Sequence, residues 1–368
     1  MPIAIAVSFV VLQSLLTFLH YAIYETVATA FGFSGGWVRV LFIVLSFTFI
    51  SASFLAHWIR NRLVDWYYRI AAYWFGLAHF LFMGTVVSLA AGYFLYSTNH
   101  YLAPGLIAGI SLGAMFLLHL YGTWSSGRVR TTSIEIALPG LPSGWRGKRV
   151  AFVSDVHLGS VRQGKFAAKV ARRLAAHAPE AVFIGGDLYD GGAADPAKLI
   201  APFAPFVAHV PQGVYFISGN HEYYVTKVKE AFDAITNAGI RIIDGQKIDL
   251  EGLTIVGVGH ATAKTKEEFA RVLRALAVDP RRPSILLKHE PRDLDVARDA
   301  GFSFGFFGHT HQGQIFPLGL LTRSIYKGFD YGMKHLESFG VYTSSGVGTW
   351  GPPLRLGTRS EIVIATLK

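Results

Sequence analysis

Long runs without charge in the first third of the chain constrain its fold more than any other feature. Residues 3–24 contain no formally charged side chain, and residues 40–59 contain only His57 as a basic group. Two further apolar runs cover about 70–96 and 102–124. Because about 20 apolar residues cross a hydrocarbon core of about 30 Å, the sequence predicts a bundle of four transmembrane helices over residues 1–125.

The ends of these runs and the start of the chain support this interpretation. Aromatic residues typical of the membrane interface lie near the run ends: Trp37, Trp58, Trp66, Tyr67, Tyr68, Tyr101 and Trp124. The sequence "ATA" at 28–30 resembles a signal-peptidase site, and a cleaved signal is the alternative for the first run. The run is long, lacks a preceding Lys or Arg, and is followed by Glu25, so we expect a retained helix.

The distribution of arginines predicts the orientation. The connection between the second and third helices carries Arg60, Arg62 and Arg69, and the exit from the fourth carries Arg128 and Arg130. The other two connections carry only Arg39. Since basic residues favour the cytoplasmic side, we expect both termini and the polar part to be cytoplasmic in a cell or inner membrane.

Three histidines, His20, His79 and His119, lie inside the apolar runs. An ionisable residue within the membrane is a functional candidate by default. We favour the alternative that these are neutral imidazoles, hydrogen-bonded between helices.

Net charge and cysteine content narrow the chemistry of the polar part. The chain has a formal charge of +10, mostly outside the apolar runs, and contains no cysteine. Thiolate metal ligands, cysteine nucleophiles and disulfides are therefore excluded. The positive charge suits anionic lipid headgroups or phosphorylated substrates, although solubility and the cytoplasmic bias of basic residues would also explain it.

After a connection at 126–147, residues 148–368 alternate strand-like and helix-like segments. Short apolar runs predict strands at 148–155, 180–187, 213–220, 241–245, 253–259, 284–290, 302–309 and 360–367. Phe166, Val170 and Leu174 lie at helical spacing between the first two of these runs. Strands separated by helices predict a layered α/β fold.

Polar side chains follow five of the predicted strands: Asp155, Asp187, Asn220, His289 and His309. In open α/β sheets, ligands bind beyond the carboxyl ends of the strands. Each residue alone would more often be a helix cap or a turn residue. Together, the five strand ends predict a metal site at one edge of a sheet.

The complete motif set resembles the calcineurin-like metallophosphoesterases. It comprises "SDVHLG" (154–159), "GGDLYDGG" (185–192), "GNHE" (219–222), "KHEP" (288–291) and "GHTHQGQ" (308–314). The tail "SSGVGTWGPPLRLGTRSEIVIATL" is similar to the membrane-associated branch, which includes transmembrane metallophosphoesterases and UDP-diacylglucosamine hydrolase-like enzymes. The resemblance covers about residues 148–368 and implies a four-layer α/β/β/α sandwich.

The resemblance also implies two metal ions and their ligands. One ion would be held by Asp155, His157, Asp187 and His311, and the second by Asp187, Asn220, His289 and His309. Asp187 would bridge the two ions. Imidazole and carboxylate ligands suit Mn²⁺, Zn²⁺ or iron. The implied reaction is phosphoester hydrolysis by in-line attack of a metal-bridging hydroxide.

Two further residues receive roles from the same comparison. His221 matches a histidine near the leaving group, so we expect it to act as a general acid or transition-state stabiliser. The alternative role for His221 is to support the neighbouring ligand, Asn220. Asp190 is expected to orient a histidine ligand, with a simple turn residue as its alternative. Protein phosphatases of the wider superfamily carry an Arg soon after the acidic residue of the second motif. The matching stretch here, "GDLYDGG" after Gly185, contains no Arg, which argues against a dedicated phosphoprotein phosphatase.

The membrane anchor makes a lipid-linked phosphodiester or pyrophosphate the leading substrate class. Arg162, Arg323 and Lys327 are candidate phosphate-binding residues, the last two within a loop at 318–340 that mixes apolar and basic residues. The alternative is that this loop does not bind substrate and only packs against the domain. The rival functions are a tethered phosphodiesterase for soluble nucleotides and a metal-bearing scaffold or sensor. No aromatic–basic stacking pattern argues for nucleic acid, and no obligatory protein partner is predicted.

Overall fold

The computed structural model describes residues 2–33, 35–59 and 61–368. The chain divides into two compact units. The first comprises the residues up to Trp124 together with Gly351–Leu354, and the second comprises Ser125–Trp350 and Arg355–Lys368.

Four long helices form most of the first unit. They are α1 (Pro2–Phe31), α2 (Gly36–Trp58), α3 (Arg62–Ser97) and α4 (Pro104–Ser126). Each of these described helices is long and apolar enough to cross a membrane, which confirms the predicted apolar helices. Helix α3 begins earlier than expected because the Asn61 side chain caps it, accepting the N–H of Val64. Arg60, used in the orientation argument, lies outside the described residues.

Small residues and one histidine occupy the interior of the helical unit. Ala52, Ala72 and Ala78 are completely buried, as expected where helices pack closely in a membrane. His20 donates from Nδ1 to the carbonyl oxygen of Leu16 and accepts at Nε2 from the indole N–H of Trp74. These contacts make His20 a neutral hydrogen-bonded imidazole, as favoured from the sequence.

The described part of the second unit contains two six-stranded sheets. The strand order is β1-β12-β2-β3-β4-β5 in the first sheet and β10-β11-β9-β8-β7-β6 in the second. The first sheet contains β1 (Arg130–Ile136), β2 (Arg149–Val153), β3 (Ala181–Ile184), β4 (Val214–Phe216), β5 (Arg241–Ile242) and β12 (Glu361–Leu367). The second contains β6 (Gln246–Leu250), β7 (Leu253–Val258), β8 (Ser284–Lys288), β9 (Phe304–Phe307), β10 (Gly332–Leu336) and β11 (Phe339–Thr343).

Helices cover the outer face of each sheet. They are α5 (Gly164–Ala175), α6 (Pro196–Ile200), α7 (Ala204–Val207), α8 (Val228–Asn237), α9 (Lys266–Leu276) and α10 (Leu294–Asp299). A further helix, α11 (Leu318–Ile325), follows the last metal-binding motif and has no buried residue. On β2, Val150 and Phe152 face the core between the sheets, whereas Ala151 and Val153 face the core beneath α5. A third core joins the second sheet to α9 and α10. Three cores between four layers confirm the α/β/β/α sandwich.

Two segments expected to be irregular contain regular structure. The connection at 126–147 contributes β1, which pairs in parallel with β12. The expected loop at 318–340 contains α11 and the edge strand β10. The sequence of β10, Gly-Met-Lys-His-Leu, lacks a strand-like apolar pattern because an edge strand is only partly covered.

Candidate metal centre

The predicted ligands follow neighbouring parallel strands, but in two sheets rather than one. Strands β2, β3 and β4 end before Asp155, Asp187 and Asn220 in the first sheet, and β8 and β9 end before His289 and His309 in the second. The backbone N–H of His309 donates to Asp155 Oδ1 over 3.0 Å. The candidate site therefore lies where the carboxyl ends of both sheets meet.

Most of the ligand positions have left-handed backbone conformations. The φ angles are 55° at Asp155, 51° at His157, 51° at Asp187, 70° at His309 and 48° at His311. Non-glycine residues seldom adopt these angles, and such conformations cluster at functional sites. The sequence suggested that neighbouring glycines would make the turns, but the ligand residues themselves also do so.

Two glycines nevertheless make room for the carboxylates. A Cβ atom on Gly219 would lie 2.2 Å from Asp187 Oδ1, and one on Gly308 would lie 2.5 Å from Asp155 Oδ2. Any larger residue would displace a predicted ligand.

The first group of ligand atoms comes from Asp155, His157 and His311, which lie within 4.8 Å of one another. His157 Nε2 is 3.0 Å from His311 Nε2, which is 3.5 Å from Asp155 Oδ1. All three side chains are buried. Lone pairs from imidazole and carboxylate thus converge on one point, as divalent transition metals require.

The second group comes from Asp187, His289 and His309, also within 4.8 Å of one another. Asp187 Oδ2 lies 3.0 Å from His289 Nε2 and 3.9 Å from His157 Nε2, so one carboxylate reaches both groups. Asn220 Oδ1 is buried and lacks a hydrogen-bond partner among the described residues. Because buried acceptors are nearly always satisfied, this atom and the donor set fit a pair of cations.

Outer hydrogen bonds fix the orientation of two histidines. His157 donates from Nδ1 to Asp190 Oδ1 over 3.0 Å, and His289 donates from Nδ1 to the carbonyl oxygen of Gly185 over 2.7 Å. Each bond leaves the Nε2 lone pair directed into the cluster. The bond between His157 and Asp190 is the contact that the predicted orienting role of Asp190 requires.

The histidines fall into two pairs with opposite electrostatics. Burial alone would lower the pKa of His289, but the Asp187 carboxylate raises it to about 10, whereas burial and His289 lower the pKa of His309 to about 4. Burial would also lower the pKa of His157, but the Asp190 carboxylate outweighs burial and raises it. Burial and His157 hold the pKa of His311 well below its usual value. In each pair, the ring beside a carboxylate therefore holds a proton more readily than its partner ring.

His221 lies beside the first group and is partly open to solvent. Its backbone N–H donates to Asp187 Oδ1, and its Nδ1 donates to the carbonyl oxygen of Asp190, each over 2.9 Å. The ring meets His157 edge-on, with 4.6 Å between centroids. With Nδ1 engaged, Nε2 is the nitrogen that can exchange a proton with a substrate.

Glu222 is a buried residue whose role the sequence did not reveal. Its carboxylate accepts backbone N–H groups from four residues over 2.7–3.1 Å: Asp187, Leu188, Tyr189 and Gly219. Burial and the Asp187 charge raise the pKa of Glu222 to about 7. Glu222 thereby joins the turns that carry Asp187 and Asn220; its only signal was its place in "GNHE".

Arg355 is the second residue that sequence reasoning missed. Its completely buried guanidinium donates to the carbonyl oxygens of Ser345, Gly346 and Gly348 over 2.7–3.1 Å. Burial lowers the pKa of Arg355 to about 10. The sequence analysis identified the tail motif that contains Arg355. The motif alone gave no reason to expect a buried arginine next to a candidate metal ligand.

The three predicted phosphate-binding residues lie in different environments. Arg162 donates to the carbonyl and hydroxyl oxygens of Ser126 and lies over the Phe166 ring, so its guanidinium already has structural partners. Arg323 is exposed and lines a cavity of about 330 Å³ together with Gln312, Asp330, Tyr331 and Lys334. Lys327 is exposed just beyond α11. Their substrate contacts remain predictions.

Known proteins that are similar in sequence to this chain include calcineurin-like phosphoesterases. The calcineurin-like phosphoesterase family matches residues 148–313. An uncharacterised metallophosphoesterase of Campylobacter jejuni is 30% identical over 88% of this chain and 89% of its own length, and one of Aquifex aeolicus is 32% identical over 69% and 98%. A bovine transmembrane protein with a metallophosphoesterase domain is 28% identical over 63% of this chain and 55% of its own length.

The Campylobacter jejuni relative matches 88% of the chain and so extends into the helical part, and the residues matched by the family contain every predicted metal ligand. The chain belongs to the calcineurin-like metallophosphoesterase family of phosphoester hydrolases, with four apolar helices ahead of the catalytic fold.

Proposed function

We propose that this chain is a membrane-anchored, two-metal phosphoesterase that hydrolyses a lipid-linked phosphodiester or pyrophosphate. The observation that carries the proposal is the Asp187 carboxylate, which reaches both histidine–carboxylate groups. A shared carboxylate is the ligand needed to offset repulsion between two neighbouring divalent ions.

The proposed ligands divide as the sequence suggested. One ion would be held by Asp155, His157, Asp187 and His311, and the other by Asp187, Asn220, His289 and His309. When bound, two such ions supply water activation at neutral pH and electrostatic stabilisation of the phosphoryl oxygens. Asp190 and Gly185 keep Nε2 of their histidines directed inward.

His221 is the proposed proton donor to the leaving oxygen. The Asp190 carbonyl fixes Nδ1–H, so the protonated ring presents its second proton at Nε2. A general acid in this position lowers the barrier most for leaving groups that are strong bases. If His221 instead only supports the neighbouring ligand, replacing it should lower activity equally with all leaving groups.

A lipid-linked substrate is supported by three features. The chain carries four helices of membrane-spanning length, and two relatives are named transmembrane proteins. The cavity that Arg323 and Lys334 line begins at Gln312, the residue after His311. Two cations there suit an anionic headgroup next to the reacting phosphate.

The test uses the full chain, purified in detergent and loaded with Mn²⁺. Hydrolysis of pyrophosphate-linked and phosphodiester lipids is compared with that of soluble phosphodiesters. We expect Asp187→Asn and His311→Ala to lose activity by at least about 100-fold, because even outer-shell changes cost 10–100-fold. The exposed Asp233→Asn and His209→Ala are the matched controls.

The outcomes separate the rival functions. Activity on small phosphodiesters without a lipid preference favours the tethered nucleotide phosphodiesterase. Stoichiometric metal with no hydrolysis of either class favours the scaffold or sensor. Full activity of either ligand variant would refute the site.

A further inference from the structure

Helix α11 follows the last metal-binding motif and leaves all eight of its residues at least partly exposed. Leu318, Leu321 and Ile325 have exposed fractions of 45%, 58% and 51%. Their spacing of three and four residues places them on one face of the helix. The opposite face, with Gly319, Leu320 and Arg323, lines a cavity that is also lined by Gln312, the residue after His311.

Exposed large apolar side chains in the second unit are concentrated around this helix. Across residues 125–350 and 355–368, all of them described, they are Tyr223, Tyr224, Phe316, Leu318, Leu320, Leu321, Ile325 and Trp350. Trp350 joins the group because its backbone exchanges two hydrogen bonds with the side chain of Gln314. Leu318, Leu321 and Ile325 share one helix face and form an exposed apolar patch, and patches of this kind mark interaction surfaces.

The charged residues within the segment that carries the patch have one sign. Residues 314–329 contain Arg323 and Lys327 but no Asp or Glu, and both cations are exposed. An apolar helix face with basic residues at its edge is the pattern of helices that lie in the membrane interface. Anionic headgroups attract such cations when they are within about 10 Å of the surface.

We propose that this apolar helix surface, residues 316–325 with Trp350, binds the surface of the lipid bilayer. Leu318, Leu321 and Ile325 would enter the acyl boundary, with Arg323 and Lys327 among the headgroups. A single helix of eight residues is about 12 Å long and offers too little area for a stable dimer. Weak partitioning suffices for a surface on a chain that its own helices hold at the membrane.

This binding goes beyond the proposed function, because it requires neither metal nor a lipid substrate. Its consequence is that the cavity behind α11, with Arg323 and Lys334, opens at the level of the headgroups. A phosphate in the membrane surface could then enter without leaving the bilayer.

The absence of cysteine from the sequence permits a direct test in the full chain. Leu321→Cys, labelled with an environment-sensitive fluorophore, is reconstituted without metal into vesicles that contain anionic phospholipid and lipids with nitroxide-labelled acyl chains. Lys229→Cys on α8, whose side chain is 88% exposed, is the matched control. We expect several-fold stronger nitroxide quenching, and several-fold weaker quenching by aqueous iodide, at position 321 than at position 229.

Equal iodide access at the two positions would overturn the proposal. Quenching that depends on protein density would point to a second copy of the chain, and shielding that appears only with added substrate would point to a substrate tail; both would overturn bilayer binding. Ile325→Cys provides a second label on the same face if Leu321→Cys fails to fold. Since the readout needs no hydrolysis, its result is independent of the proposed activity.

Discussion

The guanidinium of Arg355 lies 3.2 Å from Nδ1 of His311, the ligand proposed for the first metal. The same guanidinium holds the carbonyl oxygens of the 345–348 turn, whose Gly346 packs against Asp155. One buried cation therefore supports two residues of the first ligand group. Its positive charge also helps to keep His311 neutral, the form that binds metal.

Replacing Arg355 with Met should destabilise the catalytic unit by roughly 3 kcal/mol, because the buried carbonyl oxygens lose their donors. The thermal unfolding midpoint of the full chain in detergent should fall, and less metal should be retained after dialysis. Arg359→Met is the control, since Arg359 is exposed. An unchanged midpoint for the Arg355 variant would show that these hydrogen bonds contribute little.

His221→Gln should lower kcat by about 100-fold or more with an alkyl leaving group, because no proton donor then reaches the leaving oxygen. The loss should shrink markedly with nitrophenolate, which leaves without a proton. Metal content, measured by elemental analysis, should stay the same. A loss independent of the leaving group would assign His221 to support of Asn220 instead.

Metal binding should release protons at neutral pH. Despite burial, the Asp187 carboxylate raises the pKa of His289 to about 10, and Asp190 raises the pKa of His157, so protons compete with metal for these two rings. A bound ion must displace a proton held on either ring, and affinity should therefore rise with pH. Calorimetry of Mn²⁺ binding in buffers of different ionisation enthalpy should show a net release of protons. Heats that do not depend on the buffer would contradict this assignment.

We propose that both termini face the cytoplasm, from the arginines between the helices. A reporter active only outside the cytoplasm, fused after Lys368, should be inactive, whereas a cytoplasmic reporter at the same position should be active. The opposite pattern would place the catalytic unit on the other side of the membrane.

The sequence by itself determined the local features of this protein. Charge-free runs of membrane length identified the four helices, because a lipid-facing helix has to be apolar throughout. Short apolar strands ending in Asp, Asn or His located the candidate ligands, since each motif is contiguous along the chain.

Only the tertiary structure decided how separate motifs meet. Asp187 serves both ligand groups because strands of two sheets end at one place, and strand pairing across a sandwich leaves no local signal. Glu222 holds backbone groups more than 30 residues away, and Arg355 lies beside His311, which is 44 residues away, so composition could not reveal these roles. The exposed face of α11 is likewise defined by what fails to cover it, and a helix of eight residues with an ordinary apolar pattern looks the same whether it is covered or not.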